Sequence, residues 1–263
     1  MPETAQRDLY TWAETVHNVW HALGNSEAAA AGEGIPVRSM PFPHYGSPVS
    51  LNETEAPLVL PELASEVTIG VELACRIGAD ADLGLSAAAA ESLVDGYHVF
   101  VAVHDRSHYE YALRCSNFPH YGRADDRTKD YDYEVVQTWA DGFSSVSRAA
   151  RPAAQGFPAA ADMELRVADL PPLRANTSSY VHRFGAVIEM IARFVRLQEG
   201  DIISLGRAGD VITLEPGRVL PPGTELTAAI DGVGCMTLRV EDRRSADNFY
   251  SRSLQGGAVG GFV

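Results

Sequence analysis

The chain has 263 residues, a formal net charge of −14 and a hydrophobic fraction of 46%. That length supports a sizeable core, and the hydrophobic share is ordinary for a globular protein. The acidic balance excludes a nucleic-acid-binding surface, which needs a basic footprint, and leaves any anionic ligand to local arginines rather than to the overall field.

Met1 to Tyr10 is polar and lacks the apolar core of a signal peptide. No stretch is long and apolar enough to predict a membrane span. Cys75, Cys115 and Cys235 show no C-x-x-C spacing and read as free thiols in a reducing, cytoplasmic setting. Leu9 to Leu23 reads as a helix, with Leu9, Trp12, Val16, Val19, Trp20 and Leu23 on its apolar face and Gly24-Asn25 closing it. Glu14, His17 and His21 lie three and four apart, so one face of that helix carries all three.

Asn25 to Met40 is Ala/Gly/Ser-rich, lacks a period and reads as a flexible connector. The segment Phe42-Pro43-His44-Tyr45-Gly46 returns as Phe118-Pro119-His120-Tyr121-Gly122. The echo is either chance or a pair of aromatic turns converging on one cavity.

Val67 to Gly78 runs Val-Thr-Ile-Gly-Val-Glu-Leu-Ala-Cys-Arg-Ile-Gly. Residues two apart on a strand share a face, so Gly70 and Glu72 point the same way. Gly96 to Val101 runs Gly-Tyr-His-Val-Phe-Val. From Tyr97 to Trp139 the chain is rich in titratable and aromatic groups, including His98, His104, His108 and His120. That excursion is either a solvated surface or the wall of a pocket.

Asn176-Thr177-Ser178-Ser179 leads into an apolar-periodic run from Phe184 to Leu197. Phe184, Val187, Ile188, Ile191, Phe194 and Val195 predict one buried helix face, with Gly200 just past its end. Two β-rich runs follow, Ile202–Leu205 and Val211–Leu214. Then come a turn at Leu220-Pro221-Pro222-Gly223 and the run Ile230-Asp231-Gly232-Val233-Gly234. A helix feeding a β unit in this way needs a sheet to cover its apolar face.

The order Thr-Ser-Ser, amphipathic helix, Glu199-Gly200-Asp201-Ile202-Ile203, Gly206, then a late Gly-x-Gly resembles the fumarylacetoacetate hydrolase superfamily, and the resemblance runs from about Gly46 to Val240. It implies an α+β fold, a mixed β-roll of the C-terminal-domain type with flanking helices. It divides the chain into an N-terminal lid helix and connector (1–40), a catalytic domain (41–250) and a flexible tail (251–263). It also implies chemistry on oxo-carboxylates and β-diketones, usually with a divalent metal, in a homodimer.

The same resemblance locates the metal ligands and shows what has become of them. The family's Glu-x-Glu-Leu strand has Gly70 at its first ligand position and Glu72 at its second. Its aspartate falls on Ala102 when the next strand is read without gaps. A shift of three offers Asp105, which an odd offset turns to the other face unless a bulge intervenes. The family's active-site lysine is replaced by Asp141, and its Gly-Thr-Pro loop by Gly206-Arg207-Ala208. Mg²⁺ and Mn²⁺ need several hard oxygen donors. The expectation is therefore no metal cofactor, and the alternative is Mg²⁺ or Mn²⁺ held by Glu72, Asp105 and Asp141.

By resemblance the catalytic candidates are Glu14 and His17 as a lid dyad in reversed order, His21 as their stand-in, and Asp141. A solvated helix face is the competing reading of the first three. The substrate-binding candidates are Tyr97, His104, Arg106, His120, Thr177, Ser178 and Arg207. Thr177 and Ser178 have a second possible role, capping the helix that starts at Phe184. The expected function is an enzyme acting on an enolisable dicarbonyl or oxo-acid by metal-independent acid/base chemistry: isomerisation, cyclisation, decarboxylation or C–C cleavage. Such a step suits a specialised biosynthetic pathway. A metal-dependent hydrolase or decarboxylase with shifted ligands is one alternative, and a non-catalytic small-molecule binding protein is another.

Overall fold

A computed structural model describes residues 16–34, 36–52, 56–107 and 142–245. Among the described residues there are two sheets and three short α-helices. The larger sheet is built on β5 (Val67–Ile77) and β6 (Val94–Asp105), which pair antiparallel along almost their whole length, from Val67↔Asp105 to Arg76↔Gly96. β-branched and aliphatic side chains at every second position make β5 a strand that fits between two layers. Beside β5 lies β10 (Ile202–Arg207), antiparallel to it, and beside β10 lies β1 (Val19–Ala22), parallel to it. β2 (Pro43–Gly46) closes that side, while β7 (Ser144–Pro152) and β3 (Leu51–Asn52) continue the sheet beyond β6. β11 (Ile212–Leu214) pairs with the start of β5.

The smaller sheet contains β4 (Leu58–Leu60), β13 (Gly234–Asp242), β12 (Glu225–Ile230), β8 (Asp162–Val167) and β9 (Leu173–Asn176), in that order. Between the two sheets lies the main core. Ile69, Val71, Leu73, Val99, Val101 and Val103 from the large sheet meet Met163, Leu165, Leu226 and Leu238 from the small one. The even-numbered residues of β5 and β6 form the other face, where Phe100, Ala102 and Ala74 gather with Val16, Val19, Val146 and Ile202 in a second, smaller apolar cluster.

That second face is concave. Ladder strands sit about 4.8 Å apart, so β1 and β6, three strands away from each other, would be roughly 14 Å apart in a flat sheet. The rings of His21 on β1 and Phe100 on β6 nonetheless meet with centroids 5.5 Å apart. The sheet curls to bring them together, as expected of a β-roll.

Helix α1 (Glu27–Glu33) begins at Ser26, whose hydroxyl accepts from the Ala29 amide. The connector expected over Asn25 to Met40 therefore holds a capped helix. The helix expected over Leu9 to Leu23 gives way, over Val19–Ala22, to strand β1, which is buried on both faces. Pairing on both edges, with β10 and β2, overrides the helical spacing of a pattern that a central strand shares.

α2 (Ala87–Glu91) packs on α3 (Phe184–Ile191), and the Gly185 amide donates to the Glu91 carboxylate at 2.7 Å. A Cβ at Gly185 would lie 2.7 Å from the Ala87 carbonyl oxygen, so glycine sets this close approach. α3 buries Phe184, Val187, Ile188 and Ile191, as its spacing predicts. It ends early, however, because Leu197 exchanges two backbone hydrogen bonds with Ala81 and draws the chain out of the helix. Phe194 and Val195 are consequently exposed rather than part of the buried face. Among the described residues no helix is long and apolar enough to cross a membrane. The tail over 251–263 lies outside the described residues.

Candidate active site

The inner face of the roll gathers polar groups among its apolar lining. Glu72 is buried there, and the Ser204 hydroxyl on β10 donates to its Oε2. Ser204 pairs with His21 on one side and with Ala74 on the other. In both ladders paired residues share a face, so Glu72, Ser204 and His21 lie on one surface. His44 on β2 pairs with His21, and their rings stack with centroids 5.0 Å apart and planes 16° apart. A Cβ at Gly46 would stand 2.9 Å from His21 Nε2, so glycine at that position admits the ring.

The third imidazole is His104 on β6, an even-numbered position on the same face as Phe100. It is close enough to His21 and His44 that its positive form would depress the basicity of both. Burial is the larger cause in each case. It holds His44 down at about 3 and His21 well below the ordinary histidine range. Burial, then Arg106, brings His104 to about 4. At neutral pH all three rings are uncharged, each with one donor and one acceptor nitrogen. Burial acts oppositely on Glu72 and raises its carboxyl to about 7, with the Ser204 hydrogen bond opposing.

Neither ring nitrogen of His44, nor Nε2 of His21, has a hydrogen-bond partner of good geometry among the described residues. Leaving a buried polar atom unsatisfied costs roughly 1–3 kcal/mol, and such atoms in a folded protein call for a functional explanation. Site residues read from the sequence omitted His44. Its only signal was the Phe-Pro-His-Tyr-Gly echo, whose second copy lies outside the described residues.

The other candidates divide. Glu14, His120 and Asp141 lie outside the described residues. His17 is exposed and precedes β1, so it shares no helix face with buried His21. Tyr97 does not face the inner side of the roll, contrary to the substrate-binding role expected of it. It has odd-numbered parity on β6 and lies in the main core, stacked on Phe184 at 5.8 Å and edge-on to Phe157 at 5.9 Å, across the sheet from Glu72. Burial raises its hydroxyl to about 12.

Thr177 is buried and structural. It donates to the Pro158 carbonyl and accepts from the Ala161 amide at 2.8 Å. Ser178 is exposed, and its amide donates to the Asn176 side chain at 2.9 Å. Neither residue caps α3, whose N-cap is Arg183. Arg106 lies past the end of β6 and pairs with Glu66 at 3.1 Å on the surface. Arg207, at the end of β10, sits opposite Glu72 in the ladder and is half-buried.

The positions of the expected metal ligands can be read from the β5–β6 register. Gly70 pairs with Ala102, and Glu72 with Phe100, on the inner face. Asp105 pairs with Val67 in the same unbroken register, so it points to the opposite face, where the Ser107 hydroxyl donates to it. Glu72 and Asp105 therefore face opposite sides of the sheet. Among the described residues no group of three His, Cys, Asp or Glu side chains is arranged to hold a metal ion. Among the described residues the inner face presents one carboxylate, Glu72, beside Gly70 and Ala102, which by itself is poor provision for Mg²⁺ or Mn²⁺.

A family model described as fumarylacetoacetate (FAA) hydrolase C-terminal matches residues 17–241. Among solved structures, the chain is similar to fumarylpyruvate hydrolase from Pseudomonas aeruginosa in complex with Mn²⁺ and pyruvate. The two are 22% identical with a TM-score of 0.68, over 86% of this chain and 89% of that one. It is also similar to 2-hydroxyhepta-2,4-diene-1,7-dioate isomerase from Mycobacterium marinum, at 23% identity and a TM-score of 0.64, over 87% of this chain and 75% of that one. At this identity the likeness establishes the fold. Among curated relatives, an uncharacterized protein of Staphylococcus haemolyticus is 40% identical over 63 residues. That match spans 24% of this chain and 21% of the relative.

Proposed function

The chain belongs to the fumarylacetoacetate hydrolase family, and from that membership we propose that it is an enzyme acting on an enolisable dicarbonyl or oxo-acid by acid/base chemistry on the inner face of the roll. The observation that carries this reading is the stacked, buried His21–His44 pair, three of whose four ring nitrogens lack a hydrogen-bond partner of good geometry among the described residues, on the face that holds Glu72. A substrate carbonyl or enolate oxygen is the kind of partner those nitrogens lack.

In this reading Glu72, held by Ser204, takes the proton from the carbon beside the carbonyl. The C–H electron pair becomes the new C=C bond, and the carbonyl π pair moves to oxygen. A neutral imidazole N–H then donates to that oxygen, which favours the enolate in a site shielded from water. Return of the proton to a different carbon gives isomerisation. Attack of the enolate carbon on an internal electrophile gives cyclisation, whereas decarboxylation, or C–C cleavage after water adds to the acyl carbonyl, passes the C–C bonding pair into the same kind of enolate, which the imidazole N–H stabilises and which a proton then quenches.

No step passes through a metal, because the inner face presents one carboxylate among the described residues where the family's pattern expects three. The reading extends to a homodimer and to a specialised biosynthetic role, the first of which sedimentation tests directly. Turnover of a panel of oxo-acids and β-diketones, with chelator and with added Mn²⁺, tests the activity. The expected result is a substrate converted equally with and without chelator, and poorly by Glu72→Gln and His44→Gln. Conversion only with Mn²⁺ would favour the metal-dependent alternative, and binding without conversion would favour a binding protein.

A further inference from the structure

The β10–β5 ladder changes register at one point. Ser204 pairs with Ala74, and Arg207, not Gly206, pairs with Glu72. The extra residue is a β-bulge, which interrupts the direct hydrogen bonds of a ladder and bends its strand. Gly206 has φ +77, and a Cβ there would stand 2.2 Å from the Ala22 carbonyl oxygen, so only glycine fits.

A side chain from the main core fills the gap in the ladder. The Tyr180 hydroxyl accepts from the Leu73 amide at 3.2 Å and donates to the Gly206 carbonyl at 2.7 Å. Leu73 lies between the paired Ala74 and Glu72, and Gly206 between the paired Ser204 and Arg207. One hydroxyl thus bridges the two strands where their own pairing lapses. Burial, and after it the charge of Glu72, push the Tyr180 hydroxyl above the ordinary phenol range, so it keeps the proton that it donates.

The next link runs to the inner face. The Gly206 amide donates to Ser204 Oγ at 3.0 Å, and Ser204 donates to Glu72 Oε2. A hydroxyl has one proton to give. The amide N–H occupies a lone pair on Oγ, so that proton is directed at Glu72. Among the described residues Glu72 has no other hydrogen-bond partner. Oε2 is therefore held, and Oε1 is unengaged among the described residues.

We infer that Tyr180 is a positioning residue for Glu72: through Gly206 and Ser204 it fixes the carboxylate so that Oε1 takes the proton from the substrate carbon. Tyr180 touches no reacting atom. It acts from the core side of the sheet, by holding the bulge whose amide orients Ser204. The inference rests on the acid/base reading of this face and adds how its base is held.

Two measurements on the full chain, after chelator treatment, test it. The first is deuterium exchange of the pyruvate methyl protons over a range of pyruvate concentrations. Tyr180→Phe keeps the ring and removes the hydroxyl. It lowers the limiting rate roughly five- to tenfold and leaves the half-saturating concentration unchanged, as a loss of orientation rather than of binding requires. Ser204→Ala lowers the rate at least as far, and Ser204→Thr, which retains a hydroxyl, restores most of it. In Tyr180→Phe/Ser204→Ala the loss equals that of Ser204→Ala alone, because Tyr180 acts through Ser204.

The second measurement needs no turnover. Amide hydrogen exchange followed by NMR is roughly fivefold or more faster at Gly206 in Tyr180→Phe, although Tyr180 touches only the Gly206 carbonyl. The Leu165 amide in β8 of the smaller sheet is unchanged. Should Tyr180→Phe fold poorly, Tyr180→Met, also without the hydroxyl, takes its place.

A Gly206 amide as protected in Tyr180→Phe as in the parent overturns the inference. So does a limiting rate unmoved by Tyr180→Phe in a protein whose exchange depends on Glu72, or losses that simply add in the double variant. The acid/base reading fails on a different result, pyruvate exchange that is absent or indifferent to Glu72→Gln. Gly206 protection then decides alone whether Tyr180 holds the Ser204 link.

Discussion

Arg207 stands opposite Glu72 across the β10–β5 ladder only because the chain gains one residue between Ser204 and Arg207. A single bulge thus decides which side of the sheet position 207 faces. Its left-handed glycine is the point at which the backbone commits.

Gly206→Ala should therefore destabilise the fold by roughly 2–4 kcal/mol, combining the left-handed backbone cost with overpacking against the Ala22 carbonyl. Urea titration of both proteins measures this. A variant as stable as the parent would mean that the strand slips into the regular register at no cost.

Stability should fall on the acid side because of the histidines. His44 in the unfolded chain takes its proton near 6.5, but in the fold only near about 3. Between those values the unfolded state binds more protons, so the contribution of His44 is whole above about 6.5 and is lost as pH falls toward 3. His104 acts in the same direction, from 6.5 to about 4. His44→Phe keeps a ring against His21 but removes the titration, so it should flatten the decline in urea midpoint below pH 6.5. An unchanged slope would place the acid sensitivity elsewhere.

The two phenylalanines of the α3 region should behave in opposite ways. Phe184 is wholly buried, and Phe184→Ala should cost roughly 3–5 kcal/mol. Phe194 is 78% exposed, and Phe194→Ala should change stability by no more than about 0.5 kcal/mol. Equal effects in thermal or urea melts would contradict the early end of the helix.

Much of this was legible in the sequence. The family resemblance pointed to strands at β5 and β6 and to Gly70, Glu72 and Ala102 as ligand positions, and the odd offset turned Asp105 away from Ala102, in agreement with the register. β1 was not legible. A short strand buried on both faces shows the same apolar density as one side of a helix, and only its pairing with β10 and β2 separates them. The place of Arg207 was hidden for a related reason. Parity counted along β10 puts it in the main core, and the positive φ that reverses the count belongs to a glycine among many. Likewise His44 meets His21 through ladder pairing between segments with no shared pattern. Tyr97 went wrong because a pocket was read into a polar stretch without counting which face each residue occupies.

The most direct test is proton NMR of an enolisable oxo-acid, pyruvate, in deuterated buffer with chelator-treated protein. Exchange of the methyl protons reports enolisation without requiring the true substrate. The account predicts exchange well above the buffer rate, unchanged by chelator, and slowed on the order of 10²–10⁴-fold in Glu72→Gln, the usual share of a general acid/base. Exchange that equals the buffer rate, that appears only after Mn²⁺ is supplied, or that persists undiminished in Glu72→Gln would contradict it.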